Sequence, residues 1–104
     1  MNDYERSQIL KIMLNSEPLD PEIDFLNVAK AAPTLVGSDL KEVCRLAAVA
    51  RAKHLMHTGI PLNSAEAREH RITEEDLLGA VKRLKRFSSI RPRRSTSGTD
   101  EPLD

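Results

Sequence analysis

Few residues in this chain have the means to hold a metal, attack a carbon centre or grip a phosphate. His54, His57 and His70 are the three imidazoles, and Cys44 is the single thiol. His54 and His57, three residues apart, could set two ligands on one helix face. No Cys accompanies them and no Glu lies between them as a zincin motif requires, so solvated histidines at a helix end are the favoured reading and no metal is expected on this chain. A lone cysteine excludes an internal disulfide and a Cys-based cluster, and its place on an apolar stripe reads as core. None of the four glycines is followed by Lys, so the glycine-rich loop that cradles phosphates is missing. An apolar strand ending in paired acids, which would hold magnesium and orient water, is missing too. No Ser, Cys or Lys sits in a nucleophile motif. No catalytic residue is assigned, and the chain by itself is expected not to be an enzyme.

One constellation of charge stands out. Lys82, Arg83, Lys85, Arg86, Arg91, Arg93 and Arg94 could grip the phosphates of a nucleic acid or an acidic protein surface. Phe87 is the only aromatic among them, and Asp100, Glu101 and Asp104 follow, so a solvated helix end and tail is favoured and nucleic acid is not the expected partner. Formal charge is zero overall but unevenly spread: residues 1–42 carry −4, residues 43–94 carry +7 and residues 95–104 carry −3.

These residues must be positioned by helices. The 104 residues allow one domain, and with 39% hydrophobic residues but no Trp, one Tyr and two Phe, the packing falls to Leu, Ile, Val and Ala. Asn2 or Asp3 caps a first helix running to about Ser16, Asn2 and Glu5 having capping-box form, with Ile9, Ile12, Met13 and Tyr4 as its inward positions. Pro18 and Pro21 then enforce a turn. A short second helix between Pro21 and Ala31 turns Phe25, Leu26, Val28 and Ala29 inward and ends before Pro33. After Gly37, with Ser38 or Asp39 as cap, the longest helix carries Leu40, Val43, Cys44, Ala47, Ala48 and Ala50 to about Leu55, where Gly59 and Pro61 stop it. A polar, mobile loop is expected over 59–71. Thr73 with Asp76 forms a capping box and Ile72 staples onto Leu77, opening a last helix with Leu77, Leu78, Ala80, Val81 and Leu84 inward and Lys82, Arg83, Lys85 and Arg86 in its C-terminal turn. The reading is all-α: an irregular four-helix bundle over residues 1–87 and a disordered, basic-then-acidic tail over 88–104. No apolar run is long enough to span a bilayer and no signal peptide opens the chain, so an intracellular, soluble protein in a reducing compartment is expected.

The run Gly37-Ser38-Asp39-Leu40-Lys41-Glu42-Val43-Cys44-Arg45, followed by Ala47-Ala48, closely resembles the start of the longest helix in the lid of the AAA ATPases. Glu5-Arg6 with Ile9-Leu10-Lys11-Ile12 is similar to that lid's first helix. Ile23-Asp24-Phe25 with Val28-Ala29 is similar to its second, and Ile72-Thr73, Asp76-Leu77 and Ala80-Val81 to its last. The likeness covers residues 4–87 and is strongest to the mitochondrial outer-membrane AAA proteins that extract mislocalised tail-anchored proteins. Ala32-Pro33-Thr34-Leu35-Val36 differs from the Thr-x-Gly-Phe-Ser pattern usual before the glycine.

The resemblance implies a lid that closes over the adenine and ribose of ATP held by an adjoining AAA core. Ile9 and Met13 would lie near the base, and Gly37 and Ser38 at the nucleotide. Its implied partners are that core and neighbouring subunits of a hexamer, with protein substrates reached indirectly. The implied location is the mitochondrial outer membrane or its cytosolic face. Ordinary core packing for Ile9 and Met13, and a plain turn at Gly37, remain open on the residues alone. So does a second function: a small non-enzymatic adaptor that binds protein or nucleic acid through the basic residues within 82–94.

Overall fold

The computed structural model describes residues 1–90, with side chains through Arg86. Four α-helices follow one another: α1 (Asp3–Met13), α2 (Phe25–Lys30), α3 (Gly37–Thr58) and α4 (Glu74–Ile90), with a single 3-10 turn at Ala67–Glu69 between the last two. The described part of the chain is all-α, as its periodicity predicts. Helix α1 packs on α2 and α3, α3 on α4, and α2 on α4. Leu10 and Leu14 of α1, Val28 of α2, Leu40, Val43 and Ala47 of α3, and Leu77, Val81 and Leu84 of α4 close one apolar core.

The helix ends follow from their caps. The Asn2 side chain accepts from the Glu5 amide at 2.8 Å while the Glu5 carboxylate accepts from the Asn2 amide at 3.0 Å, a complete box at the start of α1. Asp24 accepts from the Asn27 amide and opens α2. Helix α3 starts two residues earlier than a Ser38 cap would place it and three earlier than an Asp39 cap would. Val36 holds the cap position, and Asp39 reaches back to accept from the Val36 amide at 3.0 Å. Gly59 ends α3 in the left-handed region at φ 77°, and the Ile60 amide returns to the Leu55 carbonyl at 2.9 Å, an arrangement that favours glycine because it lacks a Cβ. At α4 the expected box forms, with Thr73 N–H to Asp76 at 2.9 Å and Asp76 N–H to the Thr73 hydroxyl at 3.2 Å. Ile72 and Leu77 are both fully buried beside it.

Several sequence expectations are corrected. Helix α1 ends at Met13, with Leu14 as its cap, and turns Arg6, Ser7 and Leu10 inward. Tyr4 (65% exposed) and Ile12 (70%) face outward. The cause is that Ile9, Leu10, Ile12, Met13 and Leu14 crowd most of the helix circumference, so apolar spacing there does not choose a face. Leu26 and Ala50 are likewise exposed, not inward. Helix α4 continues to Ile90, so residues 88–90 belong to it and the four basic residues lie before its last turn. The tail expected beyond, residues 91–104, lies outside the described residues.

The segment expected as a mobile loop, 59–71, is instead held against α3 at Ala67 and His70, and Ile72 and Glu74 just after it are fastened to the segment around α2. Arg51 of α3 donates from Nε to the His70 carbonyl and from Nη2 to the Ala67 carbonyl, each at 2.6 Å. Ile72 forms a lone bridge with Leu19, its amide bonding the Pro18 carbonyl and its carbonyl receiving the Asp20 amide, both at 2.9 Å. Glu74 accepts from the Asp24 amide and the Asn27 side chain at 2.8 Å each, tying α4 to the start of α2.

Candidate functional site

The four residues singled out for nucleotide contact lie on two neighbouring helices. Ile9 is partly buried and packs against the core. Met13, one turn on, is 38% exposed and lines an open groove of about 480 Å³ with Leu14 and Glu17, facing Lys41, Cys44 and Arg45 of α3. Gly37 lies one helical turn before Lys41, and Ser38 beside it is exposed at the helix start. Met13 is thus set against the second turn of α3, whereas Ile9 points toward the interior.

A Cβ built on Gly37 would meet nothing within 4 Å, and its φ is not in the left-handed region. This glycine is therefore needed neither for backbone conformation nor for internal packing, and its bare backbone opens onto free space where another group could approach. The first-turn amides of α3 carry the positive end of the helix dipole, but the Asp39 carboxylate already sits among them. A second anion such as a phosphate would be repelled there. A neutral hydroxyl would not. What these residues offer is apolar contact from Met13 and polar contact at the start of α3.

The remaining charged and reactive groups have structural settings. Cys44 is buried in the floor of the same groove, and loss of hydration pushes its thiol up to about 11 from an ordinary 9.0. Arg45 donates two hydrogen bonds to Glu42 on the exposed face of α3. This holds the Glu42 carboxyl below its usual range and raises the Arg45 guanidinium. His54 and His57 are both exposed near the end of α3. His54 lies 5.4 Å, ring to ring, from His70, a pairing that sequence spacing could not reveal because the loop brings it about. Among the described residues no three His, Cys, Asp or Glu side chains converge as a metal would need, and no helix is long and apolar enough to cross a membrane.

Sequence reasoning also missed Arg6. It is 5% exposed, donates to the Met1 carbonyl at 3.0 Å and pairs with Asp3, yet its Nε has no partner. Its one legible signal is its place in the stripe it shares with Leu10 and Leu14.

Comparison with known proteins points in one direction. No protein-family model matches the chain. It is 47% identical over 62 residues to the mitochondrial sorting homolog of Caenorhabditis elegans, an overlap covering 60% of this chain and 18% of that protein. It is 32% identical over 82 residues to the outer mitochondrial transmembrane helix translocase of Homo sapiens, covering 79% of this chain and 23% of the relative. A shorter overlap, 38% identical over 48 residues, links it to the ATP-dependent zinc metalloprotease FtsH of Kosmotoga olearia, covering 46% of this chain and 7% of the protease. The chain therefore spans about a fifth of the length of the mitochondrial relatives, and it is similar to one part of each.

Proposed function

We propose that this chain is the helical lid portion of an AAA-type ATPase that extracts or remodels proteins, acting only together with a nucleotide-binding core. One observation carries the reading. The four helices occur in the order the lid resemblance requires, and the 82-residue likeness to a protein named as a transmembrane helix translocase extends over 79% of the chain. In this reading Met13 and the start of α3 face the base and sugar of ATP, while phosphate and magnesium contacts come from the core. Ile9 supports α1 from within and sets the position of Met13 one turn away. The core and neighbouring subunits of a hexamer are the partners, protein substrates are reached through that assembly, and the work is done at the mitochondrial outer membrane.

The test is a fusion. A core from a relative is prepared alone and joined to this chain, and nucleotide affinity and turnover are measured for both and for the isolated chain. The isolated chain is expected to show no turnover above background, and the fusion to bind nucleotide more tightly than the core alone. Equal affinity and turnover for fusion and core, or hydrolysis by the purified chain alone, would remove the lid reading.

A further inference from the structure

His54 of α3 and His70, which closes the 3-10 turn, bring their rings together, with centres 5.4 Å apart and planes tilted by 47°. Neither ring forms a hydrogen bond or an ion pair with another described residue, so both keep nitrogen lone pairs for a group from outside. His54 is exposed and His70 half-buried, and an ion in water reaches both. The backbone that carries the pair is fixed. Arg51, one turn before His54 on α3, donates to the carbonyls of Ala67 and His70 at 2.6 Å each. The His70 amide bonds the Ala67 carbonyl at 3.0 Å, and Ile72, just beyond, is fully buried with its amide and carbonyl both bonded.

Two imidazoles that share one tetrahedral ion, each at a metal–nitrogen distance of about 2.0–2.1 Å, have ring centres about 5 Å apart. The separation of His54 and His70 is close to that. Rotation about the soft Cβ–Cγ torsion of each side chain aims one nitrogen of each ring at a common point. We propose that His54 and His70 form a two-histidine clip for a divalent transition ion such as Zn²⁺ or Ni²⁺, which pins the α3–α4 connection to α3. Among the described residues no third His, Cys, Asp or Glu converges on the pair, so water completes the coordination. With two protein ligands in place of three or four, the ion exchanges with its free pool and is not held permanently. The neighbouring charges select the kind of ion. Arg51, Lys53, Arg68 and Arg71 flank the two histidines in sequence and outnumber Glu66 and Glu69. That balance disfavours Mg²⁺ and Ca²⁺, which need carboxylates, whereas imidazole nitrogen suits zinc and nickel. The inference needs only the pair and its fixed backbone, and it does not depend on nucleotide or on the lid reading.

Urea unfolding of the untagged full chain, with Zn²⁺, Ni²⁺ or Mg²⁺ added, tests it. Zn²⁺ or Ni²⁺ at about 100 times its Kd is expected to raise the folding equilibrium constant by about 100-fold, and a chelator to reverse the gain. Mg²⁺ is expected to do nothing. Titration calorimetry is expected to give one ion per chain with a Kd of about 1–100 μM. His54→Gln and His70→Gln are each expected to weaken binding by about tenfold or more, while His57→Gln, on the same helix as His54, keeps it. His70→Gln retains the backbone carbonyl that Arg51 holds, and circular dichroism without metal establishes that all three variants are folded. In the wild type the ion is also expected to slow hydrogen exchange at the His70 amide. An unfolding midpoint that neither Zn²⁺ nor Ni²⁺ moves, an equal gain from Mg²⁺, or binding that survives His70→Gln but not His57→Gln would each overturn the proposal.

Discussion

The fastening of the long α3–α4 connection by one guanidinium gives a sharp test of why this region is ordered. Arg51→Met keeps most of the aliphatic stem against α3 and removes both donors, leaving the carbonyls of Ala67 and His70 without them. A hydrogen bond from a charged donor contributes about 1.5–3 kcal/mol, and the lower figure suits Arg51 because it is only partly buried. Two such bonds, less about 1 kcal/mol of side-chain entropy regained on release, leave a loss of about 2 kcal/mol. For a domain of this size that corresponds to a fall in Tm of about 10 °C. Thermal and urea unfolding followed by circular dichroism measure the global effect. Hydrogen exchange at the His70 amide, which bonds the Ala67 carbonyl at 3.0 Å, measures local opening. Arg51→Lys, which can satisfy one carbonyl but not both in a fork, is expected to fall between. If Arg51→Met moves the unfolding midpoint by less than about 0.3 kcal/mol and leaves exchange at His70 unchanged, the guanidinium is not what holds the connection.

Three further outcomes are expected. Thr73→Ala removes the hydroxyl that accepts from Asp76 N–H and lowers stability by about 1 kcal/mol, read as a shifted urea midpoint against wild type. Gly37→Ala and Gly37→Arg leave the isolated chain as stable as wild type within about 0.5 kcal/mol, since the Cβ has open space; in the fusion with a core, Arg alone weakens nucleotide binding, measured by titration with a fluorescent analogue. Burial raises the Cys44 thiol, so its contribution to stability is fully present below pH 9.0 and is lost as pH climbs toward about 11. At pH 8 its alkylation by iodoacetamide is expected to be about 100-fold slower than in urea-unfolded chain, and equal rates would contradict the burial.

The parts of the fold legible in the sequence were those governed by local chemistry. Asn2 with Glu5, Thr73 with Asp76, and Gly59 after Thr58 each specify a helix end through hydrogen bonds or a backbone angle set within a few residues. What was illegible depended on distant partners. Arg51 reads as one more surface cation until residues 67 and 70 are brought back against it, and Glu74 reads as a first-turn acid until Asp24 and Asn27 reach it from 50 and 47 residues away. Of the candidate site, the start of α3 was legible within three residues because Gly37 and Asp39 mark it, whichever residue holds the cap. The direction in which Ile9 and Met13 point was not, since both lie in an apolar run that wraps most of α1.

That run is better understood from the surface it leaves uncovered. Ile12 is 70% exposed, Val36 56% and Met13 38%, on the outer face of α1 and at the start of α3. Arg6, in contrast, is drawn inside with an unsatisfied Nε. Turning α1 by about 80–100° would bring Met13 inward, but it would also break the alignment of Leu10 and Leu14 with Val28, Leu40 and Val43. Two fully buried leucines are worth about 3–6 kcal/mol together, more than burying one further Met returns, so the leucines fix the orientation. The apolar residues left outside are a consequence of that choice. Met13 lines the groove against Lys41 and Arg45 of α3, and Val36 stands exposed at the entry to that helix, where the Gly37 backbone is open.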